Sequence, residues 1–275
     1  MNICSSIFKY IVSLVLIVFG LLAFISYSFN LILENGTSIQ QNFESLFTLS
    51  FWKFTFGHYW NFSENYSLFL ISISLFSALL LFLSYAFFYR FFSLKFSKNL
   101  HYILDLIENL PVVAIVIFLQ WSFIQIYKLT QIRLLNTIGT ASQPVIFVPF
   151  LIVTIFPTIF LIKYMTPFIK DCYQSNYFLF ARSLGYTNLF LFLRYTVPNL
   201  VRPLESIIGM IYLEMISVMV FIELQFNTGG TLTKIQSIFE FPTNNAALDT
   251  FSYLCTLWLP YIVVKFIFKV YKRVN

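Results

Sequence analysis

Residues Asn176–Pro203 read NYFLFARSLGYTNLFLFLRYTVPNLVRP. This is the longest cluster of polar and basic residues set between two strongly apolar segments. A short amphipathic run carries Tyr177, Phe180, Ala181 and Leu184 into Gly185, and a second apolar run ends in Pro198-Asn199. A helix with Tyr173, Tyr177, Phe180 or Ala181, and Leu184 on one face would offer that face to a groove on a partner. Gly185 permits a left-handed residue, which ends such a helix and turns the chain back. Ala181 allows close backbone approach, and Arg182 and Arg194 are available to carboxylates or lipid headgroups. The bland alternative is an amphipathic linker lying on the surface of a membrane.

The flanking sequence decides the class. Of 275 residues, 59% are hydrophobic, 21% aromatic and only 10% charged, and mean hydropathy is +0.81. A soluble domain carries roughly a quarter charged residues, so the composition is that of an all-α polytopic membrane protein. Apolar runs long enough to cross a core about 30 Å thick occur at 10–33, 65–89, 111–127, 144–162, 204–222 and 246–268, predicting six membrane helices. They form one transmembrane domain over 1–275, with a polar loop at 163–203. Residues 34–64 are a long mixed loop with Asn-x-Ser/Thr sequons at Asn35, Asn61 and Asn65, read as chance or as glycosylation sites. Residues 90–108 read as a short amphipathic linker, and Pro157 predicts a kink in the fourth helix.

Charge sets the orientation. The net charge is +6, but the basic residues stand beside apolar runs rather than in a patch, which points away from nucleic acid. With the N-terminus inside, thirteen of the seventeen Lys and Arg fall on one side of the membrane. The positive-inside rule then places both termini and the 163–203 loop in the cytoplasm. Lys265, near the end of the sixth helix, is placed to snorkel to the interface.

Several chemistries lack support. The three cysteines (Cys4, Cys172, Cys255) have no disulfide or metal spacing, and His58 and His101 are far apart. No Walker-type phosphate loop occurs, and no catalytic triad or carboxylate pair emerges on one face. The expectation is therefore no catalytic residue, no metal and no cofactor.

The ordered residues from Tyr177 to Gly230 resemble one family. Ala181-Arg182-Ser183-Leu184-Gly185, followed thirteen residues later by Pro198-Asn199, is similar to the EAA loop of permease subunits of binding-protein-dependent ABC importers. The likeness is greatest to the first membrane subunit of dipeptide/oligopeptide/nickel permeases. Tyr177, Arg194-Tyr195, Asn199 and Pro203 stand at family positions, and the register continues into Gly209, Glu223, Phe226, Asn227 and Gly230. Leu179 and Phe180 replace the Glu and first Ala of the generic motif, Tyr195 replaces a His, and Gly229-Gly230 replaces Pro-Gly.

The resemblance implies an ABC-importer permease (MetI-like) fold in a bacterial cell membrane, which the richness in Phe, Ile and Asn also suits. It implies half of a translocation pathway, with a second permease, two cytoplasmic ATPase subunits and an extracytoplasmic substrate-binding protein as partners. Peptides, then nickel or a metal chelate, are the implied cargo. Tyr173, Tyr177, Phe180, Ala181, Arg182, Leu184, Gly185, Arg194, Asn199 and Pro203 would then couple the ATPase to the membrane helices.

Five further residues stand out. Glu214 lies near the midplane of the fifth helix, where an ionisable group is costly unless it faces water, a partner or the bundle interior. It either lines the pathway and favours a cationic cargo group, or is protonated and hydrogen-bonded to a neighbouring helix. Glu223 and Asn227, at the outer end of that helix, either form a gate or cap the helix and the following turn. Gln120 and Trp121 line a cavity or pack helices. The rival classes are an ion-coupled secondary transporter or channel, for which Glu214 is the pointer, and a non-transporting scaffold or intramembrane enzyme.

Overall fold

The computed structural model describes residues 19–29, 41, 42, 44, 65–91, 94–130, 145–242 and 246–274. Most of the 34–64 loop with Asn35, Asn61 and His58, and most of 128–143, lie outside the described residues, as does Cys4. Among the described residues the chain is almost wholly helical, without strands. The helices are α1 (Phe19–Phe29), α2 (Tyr66–Phe88), α3 (Leu94–Glu108), α4 (Val112–Thr130), α5 (Phe147–Gln174), α6 (Asn176–Ser183), α7 (Asn188–Leu191), α8 (Val197–Phe226), α9 (Thr231–Glu240) and α10 (Ala246–Val274). A single π-helical turn, Phe192–Thr196, joins α7 to α8.

Among the described residues, five stretches are long and apolar enough to cross a membrane: Tyr66–Phe91, Val112–Leu129, Phe147–Gln174, Asn188–Phe226 and Ala246–Tyr271. The described part of the predicted first span is α1, whose 11 residues fall short of that length. Ser72 and Ser84 of α2 donate to the carbonyls four residues back, at 2.6 and 2.9 Å, which satisfies their hydroxyls inside an apolar helix. Large side chains point outward along α2 (Phe69, Ile73, Phe76, Leu80, Leu81), as hydrocarbon solvent allows and water does not.

Three predicted boundaries are corrected. The fourth helix does not end at Ile162: α5 continues through Lys163 and Pro167 to Gln174. Lys163 within it pairs with both Asp105 (2.7 Å) and Glu108 of α3. Residues 90–108 accordingly hold a 15-residue helix, not a short linker. The helix expected at 204–222 runs over Val197–Phe226, and a further helix, α9, stands between it and α10.

The chain divides into two compact units, 1–66 with 229–258 and 67–228 with 259–275. In the first, Leu22, Ile25 and Phe29 of α1 pack on Ala246, Ala247 and Phe251 at the start of α10. Phe29 stacks on Phe239 of α9 with centroids 4.9 Å apart, and the Lys234 ammonium lies 5.8 Å from the Tyr253 ring centroid.

The second unit is built on α5 and α8, the most extensively packed pair. The buried residues of α8 (Leu200, Leu204, Ile208, Ile211, Met215, Val218, Ile222, Phe226) recur every three or four positions, the stripe a helix of 3.6 residues per turn presents to one neighbour. Hydroxyl pairs fix α2 against α5: Ser77 with Thr154 and Tyr85 with Thr166, both 3.2 Å. Their numbers rise together, so α2 and α5 run in the same direction. α8 runs the other way, since Glu223 at its end meets Ser67 at the start of α2. Gln225 of α8 donates to Gln120 of α4 at 2.7 Å, so Gln120 serves helix packing, while Trp121 points outward. Gly209 leaves room for Tyr261 of α10, whose hydroxyl would lie 3.4 Å from an added Cβ. Lys265 donates to that same hydroxyl at 3.0 Å.

Candidate functional site

The segment 175–203 forms one end of the second unit, and its construction follows from a few residues. Ser175 adopts an extended conformation (φ −68°, ψ 143°) and breaks the path from α5 into α6. Its hydroxyl donates back to the Cys172 carbonyl at 2.6 Å. α6 then ends at Gly185, which stands at φ +82° with open space around it, as the turn expected there requires. Thr187 caps α7 by accepting from the Phe190 N–H at 3.4 Å.

The π turn has a local cause. Pro198 has no N–H to give to the Arg194 carbonyl, so the regular ladder cannot continue through that position. One residue on, Asn199 adds a side-chain bond, its Nδ2 donating to the Tyr195 carbonyl at 2.7 Å. The same amide donates to the Tyr177 hydroxyl at 2.9 Å, and the Tyr177 and Tyr195 rings stack with centroids 6.1 Å apart. Three residues placed in register by the sequence, Tyr177, Tyr195 and Asn199, are thus brought together and hold α6 against the start of α8. Pro203 lies one turn beyond Asn199, inside α8.

The face expected from Tyr173, Tyr177, Phe180 or Ala181, and Leu184 is split by the structure. Ala181 is buried, and Tyr173 is partly buried, packing edge-on against Phe178 at 5.0 Å and donating its hydroxyl to the Ala86 carbonyl at 2.9 Å. Both belong to the inner face with Phe178 and Leu191, which sequence reasoning passed over. Their signal was available: Phe178 and Ala181 are three apart, as Tyr177 and Phe180 are. Two apolar faces of similar strength compete in this short helix, and only packing separates them. The outward face keeps Tyr177 (45% exposed), Phe180 (66%) and Leu184 (59%), and is continued by Tyr186, Leu189, Phe190 and Leu193. Arg182 and Arg194 are exposed beside it.

The other residues lie elsewhere in the unit. Glu223, at the far end of α8, is wholly buried and accepts a hydrogen bond from the Ser67 hydroxyl. Its backbone carbonyl takes the N–H groups of Asn227 and Thr228. Asn227 is left-handed (φ 48°) and caps α8. Gly229 (φ 63°) continues the turn. Glu214 is half-buried, nine residues before Glu223 and so about 13 Å from it along the axis. Lys163, Asp105 and Glu108 form the ion-pair cluster on α3 and α5. Among the described residues no group of His, Cys, Asp and Glu is arranged to hold a metal ion.

Arranged in this way, the α6 end offers an apolar, aromatic surface edged by arginines, on a frame locked by Asn199 and turned by Gly185. Such a surface can seat against a complementary groove; it carries no group poised for bond chemistry. No protein-family model matches the chain, and no curated protein matches it in sequence.

Proposed function

We propose that this chain is a membrane-spanning permease subunit of an ATP-driven ABC importer, with the MetI-like arrangement and the exposed face of α6 as the coupling surface. The single observation that carries this reading is the outward face Tyr177, Phe180 and Leu184, held by Asn199 and Tyr195 and ended by Gly185 at φ +82°. α6 buries Phe178 and Ala181 and still presents Tyr177, Leu179, Phe180 and, at its end, Leu184. The motif resemblance from Tyr177 to Gly230 supplies the occupant: a cytoplasmic ATPase, with a second permease beside the chain and an extracytoplasmic binding protein on the opposite side. The exposed arginines at this end favour its placement in the cytoplasm. Peptides lead as cargo, with nickel or a metal chelate next.

A second reading, an ion-coupled transporter or channel, draws on half-buried Glu214 within α8. Uptake measured in cells separates the two. Depleting ATP while keeping the ion gradient abolishes uptake by an ABC importer and spares a gradient-coupled carrier; collapsing the gradient does the reverse.

A further inference from the structure

We propose that α2 carries movement of the α6–α7 segment across the bundle, and that Arg90 and Glu223 are its two fixing points. The near fixing point joins groups of different kinds. Arg90 Nη1 donates to Oδ1 of Asn188, the first residue of α7, at 2.7 Å. Phe87 meets Phe192 edge-on at 5.3 Å, and Ala86 accepts from the Tyr173 hydroxyl. Tyr89 stacks on Tyr173 with centroids 6.4 Å apart. A displacement of α7 therefore pulls a directional charged hydrogen bond and a packed ring together, and α2 follows.

The far fixing point is the Ser67 hydroxyl on the Glu223 carboxyl, an acceptor with no exposed surface. Both groups are buried, so the bond is shielded from water and resists opening during movement. Between the ends, Ser77–Thr154 and Tyr85–Thr166 tie α2 to α5. Glu223 is on this account a strut between α2 and α8, a positioning residue and not a gate that parts in each cycle. The source of the movement rests on the importer reading above; the clamping of α2 does not.

The test uses the full chain in lipid nanodiscs, with spin labels introduced through unnatural amino acids at Leu80 and Leu189, both exposed. Pulsed dipolar spectroscopy gives a single narrow distance for the parent chain. Arg90→Ala adds a second, displaced population, and Arg90→Lys, which keeps a cationic donor, removes it. Asn188→Ala breaks the same bond from the other side and serves if Arg90→Ala does not fold. An unchanged single distance in Arg90→Ala or Asn188→Ala overturns the clamp. With ATPase partners bound, ATP and vanadate leave the Leu80–Leu189 distance unchanged if α2 moves with α7, and a shifted distance overturns the proposal. Failure of any ATPase to bind sinks the importer reading alone, because the comparison with Arg90→Ala needs no nucleotide.

Discussion

Asn199→Leu is the most informative single change at the α6 end. The Asn199 amide makes two hydrogen bonds, to the Tyr177 hydroxyl at 2.9 Å and to the Tyr195 carbonyl at 2.7 Å. Each neutral bond is worth about 0.5–1.5 kcal/mol net, and exposure at this site keeps the pair toward the lower part of the range, about 1–2 kcal/mol together. Leucine keeps helix propensity and volume, so α8 itself is spared. The loss falls on the closed arrangement of α6, and about 1–2 kcal/mol corresponds to a roughly 5–30-fold rise in its opening equilibrium. Hydrogen–deuterium exchange followed by mass spectrometry reads this directly: peptides covering 176–183 should exchange faster by that factor, and peptides from the middle of α8 should not. Tyr177→Phe removes only the first bond and should give a smaller acceleration, about fivefold for about 1 kcal/mol. If Asn199→Leu leaves exchange over 176–183 unchanged, Asn199 does not hold α6 and the frame must be assigned to other contacts.

Four further outcomes are expected. Gly185→Ala forces a side chain into a left-handed conformation and should destabilise the α6–α7 turn by about 1–2 kcal/mol, seen as faster exchange there; Gly185→Asn should be milder. Gly209→Ala should be tolerated because its nearest contact would be 3.4 Å, whereas Gly209→Leu must displace the Tyr261 ring, lowering the thermal midpoint in detergent by the equivalent of about 1–3 kcal/mol. Ser67→Ala takes a donor from the buried Glu223 carboxyl and should cost about 1–3 kcal/mol of thermal stability, while Glu223→Gln, which keeps an acceptor, should cost less. Glu214→Gln should reduce uptake of cationic cargo more than of neutral cargo if Glu214 lines the pathway, and uptake assays with matched cargo would show equal rates if it does not.

The membrane class and the long helices were legible because a 20-residue apolar run has few other uses. The buried stripe of α8 follows from helical spacing once its direction is known, but in lipid the outward face is equally apolar, so hydropathy alone does not mark it. Boundaries failed where a charge was read as an end. Lys163 reads as the end of the helix, yet α5 runs through it, with Asp105 and Glu108, distant in sequence, paired to it. The same difficulty hid the inner face of α6: Phe178 and Ala181 are no more apolar than Phe180 and Leu184, and only the position of Leu191 decides between them. The left-handed turn at Gly185 was readable because few residues serve there. The joint between Tyr177, Tyr195 and Asn199 was visible as spacing, while the two hydrogen bonds of the Asn199 amide become clear only with the fold in place.

The central claim is that the outward face of α6 seats a motor. The direct measurement is vanadate-sensitive ATP hydrolysis in the complex isolated from native membranes on the tagged full-length chain, compared with Phe180→Asp and Leu184→Asp variants. Both side chains are exposed, so neither change disturbs the fold of the bundle. The account predicts hydrolysis that co-purifies with the parent chain and is lost from both variants while the chain stays folded. Folded parent chain isolated without ATPase activity, or activity retained in both variants, would contradict it.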